Sequence, residues 1–138
     1  MYFCKIICIF AVLTKRNVMN HLLLIFVGGG VGSVLRYLVG RMVSGSCQGS
    51  FPWGTFTANI IGCLLIGLIT AAIARWHLTE EIRLLLVVGL CGGFTTFSTF
   101  SNETFQLLSS GHVATALTYV ASSIVIGVTM TMIAIKLS

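Results

Sequence analysis

Apolar residues in this chain fall into four long blocks separated by short polar breaks. The blocks run from about Leu22 to Met42, Thr55 to Trp76, Ile82 to Leu108 and Val113 to Leu137. Each has roughly the ~20 residues that a helix needs to cross ~30 Å of hydrocarbon. The pattern therefore predicts four membrane-spanning helices. Residues 43–54 form a Gly/Ser-rich loop that ends in Phe51-Pro52-Trp53-Gly54. Proline suits the start of a helix, and tryptophan suits a membrane interface. In the break at 77–81, Thr79 is the predicted N-cap, with Glu80 and Glu81 in the first turn that follows. Ser109-Ser110-Gly111-His112 reads as a turn. Met1 to Leu13 is apolar but too short to span, and Lys15-Arg16 follow it. Its charge order is wrong for a signal peptide and no small-residue cleavage site stands out. The reading divides the chain into an extension, 1–18, ahead of an alternative start at Met19, and a four-helix domain, 19–138.

Composition strengthens this picture. The chain has 138 residues, of which 57% are hydrophobic and 8% charged, against about 25% charged in soluble domains. Its mean hydropathy is +1.04. An integral membrane protein of all-α class follows. The net charge of +5 is spread thinly, so it lacks the concentrated basic face that nucleic-acid binding needs. Lysine and arginine beside the spans suit contact with membrane lipid headgroups. With four spans, both termini and the 77–81 loop share one side. From Met19 onward that side carries Arg75, Arg83 and Lys136, against Arg41 and Arg36 on the other. The bias that orients membrane proteins is small, and two copies inserted in opposite directions can pair. Lys5, Lys15 and Arg16 tip it toward cytoplasmic termini. The five cysteines show no CxxC pair or metal-ligand spacing, and His21, His77 and His112 stand at span edges. No nucleophile–base pair presents itself, and an enzyme is not expected.

Candidate chemistry concentrates in the third block, in the run Gly92-Gly93-Phe94-Thr95-Thr96-Phe97-Ser98-Thr99-Phe100-Ser101-Asn102-Glu103. Polar groups at membrane depth cost about 2–7 kcal/mol each without partners, and by default they mark an ion or substrate path. At helical spacing, Phe97, Phe100 and Ser101 share one face. Thr99 and Glu103 share another, with Ser98 and Asn102 between. Ring edges carry positive quadrupole charge and hydroxyls donate, so the two stripes suit an anion. Packing rings and hydroxyls bonded back to the helix are the plainer use of any one of these residues. Gly92 and Gly93 permit either a helix break, which frees carbonyls, or close helix packing through Gly89 and Gly93. In the second block, Thr55 and Asn59 are four apart beside Gly62. Two uses are open to the Asn59 amide: a bond to a neighbouring helix, or donation to an anion in transit. In the first block, Gly28 and Gly32 form a close-packing face. Arg36, near the helix end, either snorkels to headgroups, fixes a dimer, or raises the local potential for anions. Hydroxyl residues of the fourth block, including Tyr119, Ser122 and Ser123, offer no basis for choosing among them.

Three stretches, Gly28 to Tyr37, Trp53 to Gly62 and Gly92 to Ser101, together resemble the motifs of the Fluc (CrcB) fluoride channel family, in order and on the matching helices. The resemblance covers about Met19 to the C-terminus. It implies a fluoride-selective passive channel that exports cytoplasmic fluoride across the bacterial inner membrane. It also implies an antiparallel, dual-topology homodimer of four-helix subunits with two pores. The third helix would be broken near Gly92–Thr95. Asn59 would donate to fluoride, Phe97 and Phe100 would form an aromatic box, and Ser98, Thr99, Ser101 and Glu103 would lie on or near the polar track. Backbone carbonyls of Gly92 and Thr95 would hold a structural Na⁺ on the dimer axis, and Arg36 would match the family's first-helix arginine. The 18-residue extension departs from the family pattern and would bias insertion if translated. The main alternative is a small multidrug-resistance-type proton-coupled transporter. That class needs a carboxylate on its first helix, where this chain has Arg36 and no acid. A structural subunit without transport is a further alternative, but it would not need the run from Gly92 to Glu103.

Overall fold

The computed structural model describes residues 16–46 and 49–137, and the structure is all-helical over them. The extension assigned to 1–18 falls almost wholly outside the described residues. The helices are α1 (Arg16–Ser46), α2 (Trp53–Trp76), α3 (Glu80–Arg83), α4 (Gly92–Phe94), α5 (Phe97–Ser109) and α6 (Val113–Leu137), with a π-helical segment, Leu84–Cys91, joining α3 to α4. Among the described residues, four stretches are long and apolar enough to cross a membrane: Val18–Gly45, Trp53–Trp76, Glu80–Ser109 and Val113–Leu137. The third is compound, made of α3, the π segment, α4 and α5. This is a multi-pass membrane protein.

The short connections carry the expected turn chemistry, with one difference. Pro52 caps the start of α2, its carbonyl accepting from the Phe56 N–H at 3.1 Å. His77 closes α2 in the left-handed region (φ 48°), and the Leu78 N–H returns to the Ile73 carbonyl at 3.1 Å. Gly111 makes the α5–α6 turn at φ 80°, a conformation glycine adopts without strain. Thr79 holds the N-cap position of α3, but its side chain makes no capping bond. The turn is held instead by a two-pronged ion pair between Arg83 and Glu80 (2.7 and 2.5 Å).

Two helix pairings build the molecule. The α1 helix packs chiefly along the π segment and also meets α2 and α4, while α2 packs chiefly along α6. Glycine makes the first pairing possible. A Cβ on Gly28 would strike the Leu85 carbonyl, and one on Gly93 would strike the backbone of Gly29. Small residues at a membrane helix interface let backbones approach closely. Gly28 thus faces Gly89 and Gly29 faces Gly93 across α1 and the compound span, while Gly32 is pressed on the backbone of Leu90 and Phe94. The α5 helix leans on α6, where Leu107, Ala116 and Tyr119 form a small buried cluster against Phe51, Phe56 and Phe100.

A broken helix clipped by an asparagine beside a cavity

The compound span breaks at Thr95–Thr96, at the C-terminal edge of the expected window. Gly92 itself is helical (φ −63°, ψ −37°), while Thr95 (φ −87°, ψ 156°) and Thr96 (φ −148°, ψ 119°) are extended. Each side of the break is capped by threonine. The Thr95 N–H (2.9 Å) and hydroxyl (3.0 Å) both donate to the Cys91 carbonyl and close α4. Thr96 opens α5 as its N-cap, its hydroxyl oxygen accepting from the Thr99 N–H at 3.2 Å. The same oxygen lies 3.1 Å from the Thr99 hydroxyl and 3.3 Å from that of Ser98.

An unwound backbone at membrane depth must find partners inside the protein. Asn59, about two turns into α2, supplies them. Its Oδ1 accepts from the Thr96 N–H at 2.9 Å, and its Nδ2 donates to the Thr96 carbonyl at 3.2 Å. This two-point clip fixes which amide atom is nitrogen. It also diverts the Thr96 N–H from Gly92, its helical acceptor four residues back. The amide carries two N–H donors, so one remains after the clip is made. It stands at a cavity of ≈ 320 Å³ lined among others by Asn59, Thr96, Phe97, Phe100 and Ser123. The Ser123 hydroxyl is buried and has no hydrogen-bond partner.

One turn beyond Phe100 stands Glu103, half-buried, with both carboxylate oxygens engaged. The Thr55 hydroxyl donates to Oε1 at 2.7 Å and the Tyr119 hydroxyl to Oε2 at 2.9 Å. Hydrogen bonds to an ionised group are worth about 1.5–3 kcal/mol each. Thr55 and Asn59, one helical turn apart on α2, therefore hold two successive features of the compound span. Tyr119 is fully buried and its ring is hemmed by Phe51 (5.4 Å, edge-on), Phe56 (6.5 Å) and Phe100 (5.0 Å). Phe97 continues the aromatic series, 5.9 Å from Phe100, and is 79% exposed on the subunit.

The structure thus gathers Asn59, Phe97 and Phe100 at one cavity, with Ser98 and Thr99 around the Thr96 cap and Glu103 beyond. Ser101 faces the exposed outer side of α5 instead. Arg36 lies apart on α1, with its Nε buried and unpartnered. Sequence reasoning did not single out Thr96, Tyr119, Ser123 or Phe51. The first had a signal in hindsight: a threonine at the start of a helix, followed three residues later by a polar one, is an N-cap pattern. The others acquire their roles only from contacts across helices.

A profile of the family described as CrcB-like protein, camphor resistance, matches residues 23–135. The chain belongs to the CrcB family. Similar proteins include one from Phocaeicola vulgatus, 52% identical over 120 residues, covering 87% of this chain and 99% of the relative. Another, from Leptospira interrogans, is 48% identical over 113 residues, covering 81% and 89%. A third, from Nitrobacter hamburgensis, is 47% identical over 110 residues, covering 79% and 87%. The first two are named fluoride-specific ion channel FluC, and the third FluC 1. All the residues of the break, the clip and the cavity fall within the stretch that matches the CrcB profile.

Proposed function

We propose that this chain forms a fluoride-selective passive channel that lets cytoplasmic fluoride leave a bacterial cell across its inner membrane. The observation that carries the reading is the Asn59 amide, clipped to the Thr96 backbone with one N–H left over at a cavity edged by Phe97 and Phe100. Fluoride is small and tightly hydrated, so a pore must replace its water with donors. A held amide, hydroxyls and ring edges do so without a fixed cation that would trap the ion, and conduction needs binding that is neither too weak nor too strong. The unpartnered Ser123 hydroxyl adds a donor from α6.

The reading includes an antiparallel homodimer in lipid, as the weak charge bias allows. Phe97, 79% exposed, then meets rings of a second copy. It also includes a structural Na⁺ between subunits, held by the carbonyls of Gly92 and Thr95. The donor chemistry fits, because neutral carbonyl oxygens suit a hard cation. The Gly92 carbonyl has lost the Thr96 N–H to Asn59, and a side chain at Gly92 would meet nothing closer than the Val87 carbonyl at 3.9 Å. The bound ion would supply positive charge between the two broken helices.

The proton-coupled transporter is disfavoured because that class needs a carboxylate on its first helix, where this chain carries Arg36 and no acid. Glu103 stands instead on the compound span, with both oxygens engaged by hydroxyl donors. The test is fluoride efflux from liposomes bearing purified protein, followed with a fluoride electrode beside a chloride control. Fast fluoride loss with negligible chloride loss is expected. A dimeric protein that passes no fluoride overturns the reading.

A further inference from the structure

A second cavity, of ≈ 250 Å³, lies on the far side of Glu103 from the Asn59 clip, and its lining includes Ser50, Glu103, Gln106, Ser110 and His112. Glu103, Gln106 and Ser110 stand three and four residues apart, on one face of α5 and its C-terminal cap. They make a polar stripe from the site to the end of the span, where His112 sits. We propose that this cavity is the pore's outer vestibule and that His112 makes an anion subsite in it for fluoride, switched on by protonation. The inference rests on the channel reading and extends it to the route by which the ion meets water.

The hydrogen bonds define the ring's state. Ser110 Oγ has one proton, and it lies 2.8 Å from the Gln106 carbonyl and 3.1 Å from that of Leu107, both acceptors only. That proton is committed to the backbone. His112 Nδ1, 3.0 Å from Ser110 Oγ, must therefore be the donor of that pair. In the neutral ring Nε2 is then a bare acceptor, which an anion avoids. Protonation converts Nε2 into a charged donor. Glu103 is the one other titratable residue lining the cavity, and its negative charge repels fluoride there. A cationic His112 offsets it. The Gln106 side-chain amide makes no hydrogen bond among the described residues and supplies a neutral donor between the two.

Fluoride flux through wild-type protein in liposomes should rise by about tenfold from about pH 8 to about pH 5.5 at low ionic strength, the low end of electrostatic focusing, and by less in high salt. Protein-free liposomes correct for undissociated HF. H112Q should flatten the pH response while keeping the high-pH flux, and H112K should be fast at both pH values. A wild-type flux without this rise, or an H112Q variant that keeps it, overturns the subsite and leaves the channel reading standing. Absence of flux at every pH overturns the channel reading instead. An NMR titration of the His112 ring then still decides the subsite. Equal concentrations of sodium fluoride and sodium chloride should give different midpoints, the fluoride one higher, and coincident curves overturn the proposal.

Discussion

Asn59 closes two hydrogen bonds on one backbone residue, and that double contact makes its substitution informative. In N59D the side chain has no donor for the Thr96 carbonyl and repels an approaching anion. Leaving that carbonyl without a partner costs about 1–3 kcal/mol. Fluoride flux should disappear in liposomes, and normal flux from N59D would reduce Asn59 to a structural clip. Tyr119 offers a gentler probe. Y119F keeps the ring against Phe51 and Phe100 but removes one of the two donors to Glu103. Flux should fall by about tenfold, given the ~1.5–3 kcal/mol of a charged hydrogen bond, while the protein elutes as the wild type does. An unchanged rate would show that the carboxylate's position does not matter to conduction.

The compound span works because its elements end where threonines can cap them. Thr96 alone makes the α5 N-cap. T96V keeps the shape, loses the cap and should destabilise the protein by about 1 kcal/mol, seen as a lower melting temperature in detergent. T96S should melt like the wild type, and equal melting of T96V would show that the Asn59 clip suffices to hold the break. The π-helical stretch before the break had no signature. Leu84-Leu85-Leu86-Val87-Val88-Gly89-Leu90-Cys91 has the composition of any apolar helix. Glycine roles also separate only at this scale. Gly92 and Gly93 look alike in sequence, yet Gly93 is pressed on Gly29 while Gly92 is open. G93A should push α1 from the compound span at a cost of about 1–3 kcal/mol, as overpacking does. G30A, where a Cβ meets nothing within 4 Å, should be neutral. A melting comparison of the two variants checks this, and equal stability would mean the interface is looser than its contacts indicate.

At the scale of the whole molecule, the subunit leaves much of its apolar surface uncovered. Phe26 is 78% exposed on α1 and Phe97 79% on α5. The proposed homodimer and the surrounding lipid would cover these faces in the membrane. The two phenylalanines of the proposed aromatic box differ in this respect: Phe100 is anchored on Tyr119, whereas Phe97 has Phe100 as its ring partner and is otherwise largely exposed. F97I and F100I should each impair fluoride flux while the protein elutes as the wild type does on size-exclusion chromatography. Unchanged flux in both would remove the aromatic box from the mechanism.

The amino-acid sequence by itself determined the number and placement of the spans, because ~20-residue apolar blocks have one stable use in a bilayer. It also determined the existence of the polar run from Gly92 to Glu103 and the glycine faces, because spacing along a helix is a local property. Tertiary structure decided which polar atoms meet. Asn59 was legible as a costly group needing a partner, but its partner, the Thr96 backbone, lies 37 residues away. Glu103 was legible as an acid in a span, yet Thr55 is 48 positions from it and Tyr119 is 16. Pairings between helices depend on the rotation and depth of each helix in the bundle. Those are set by packing of glycine faces and rings, which no single stretch of sequence encodes.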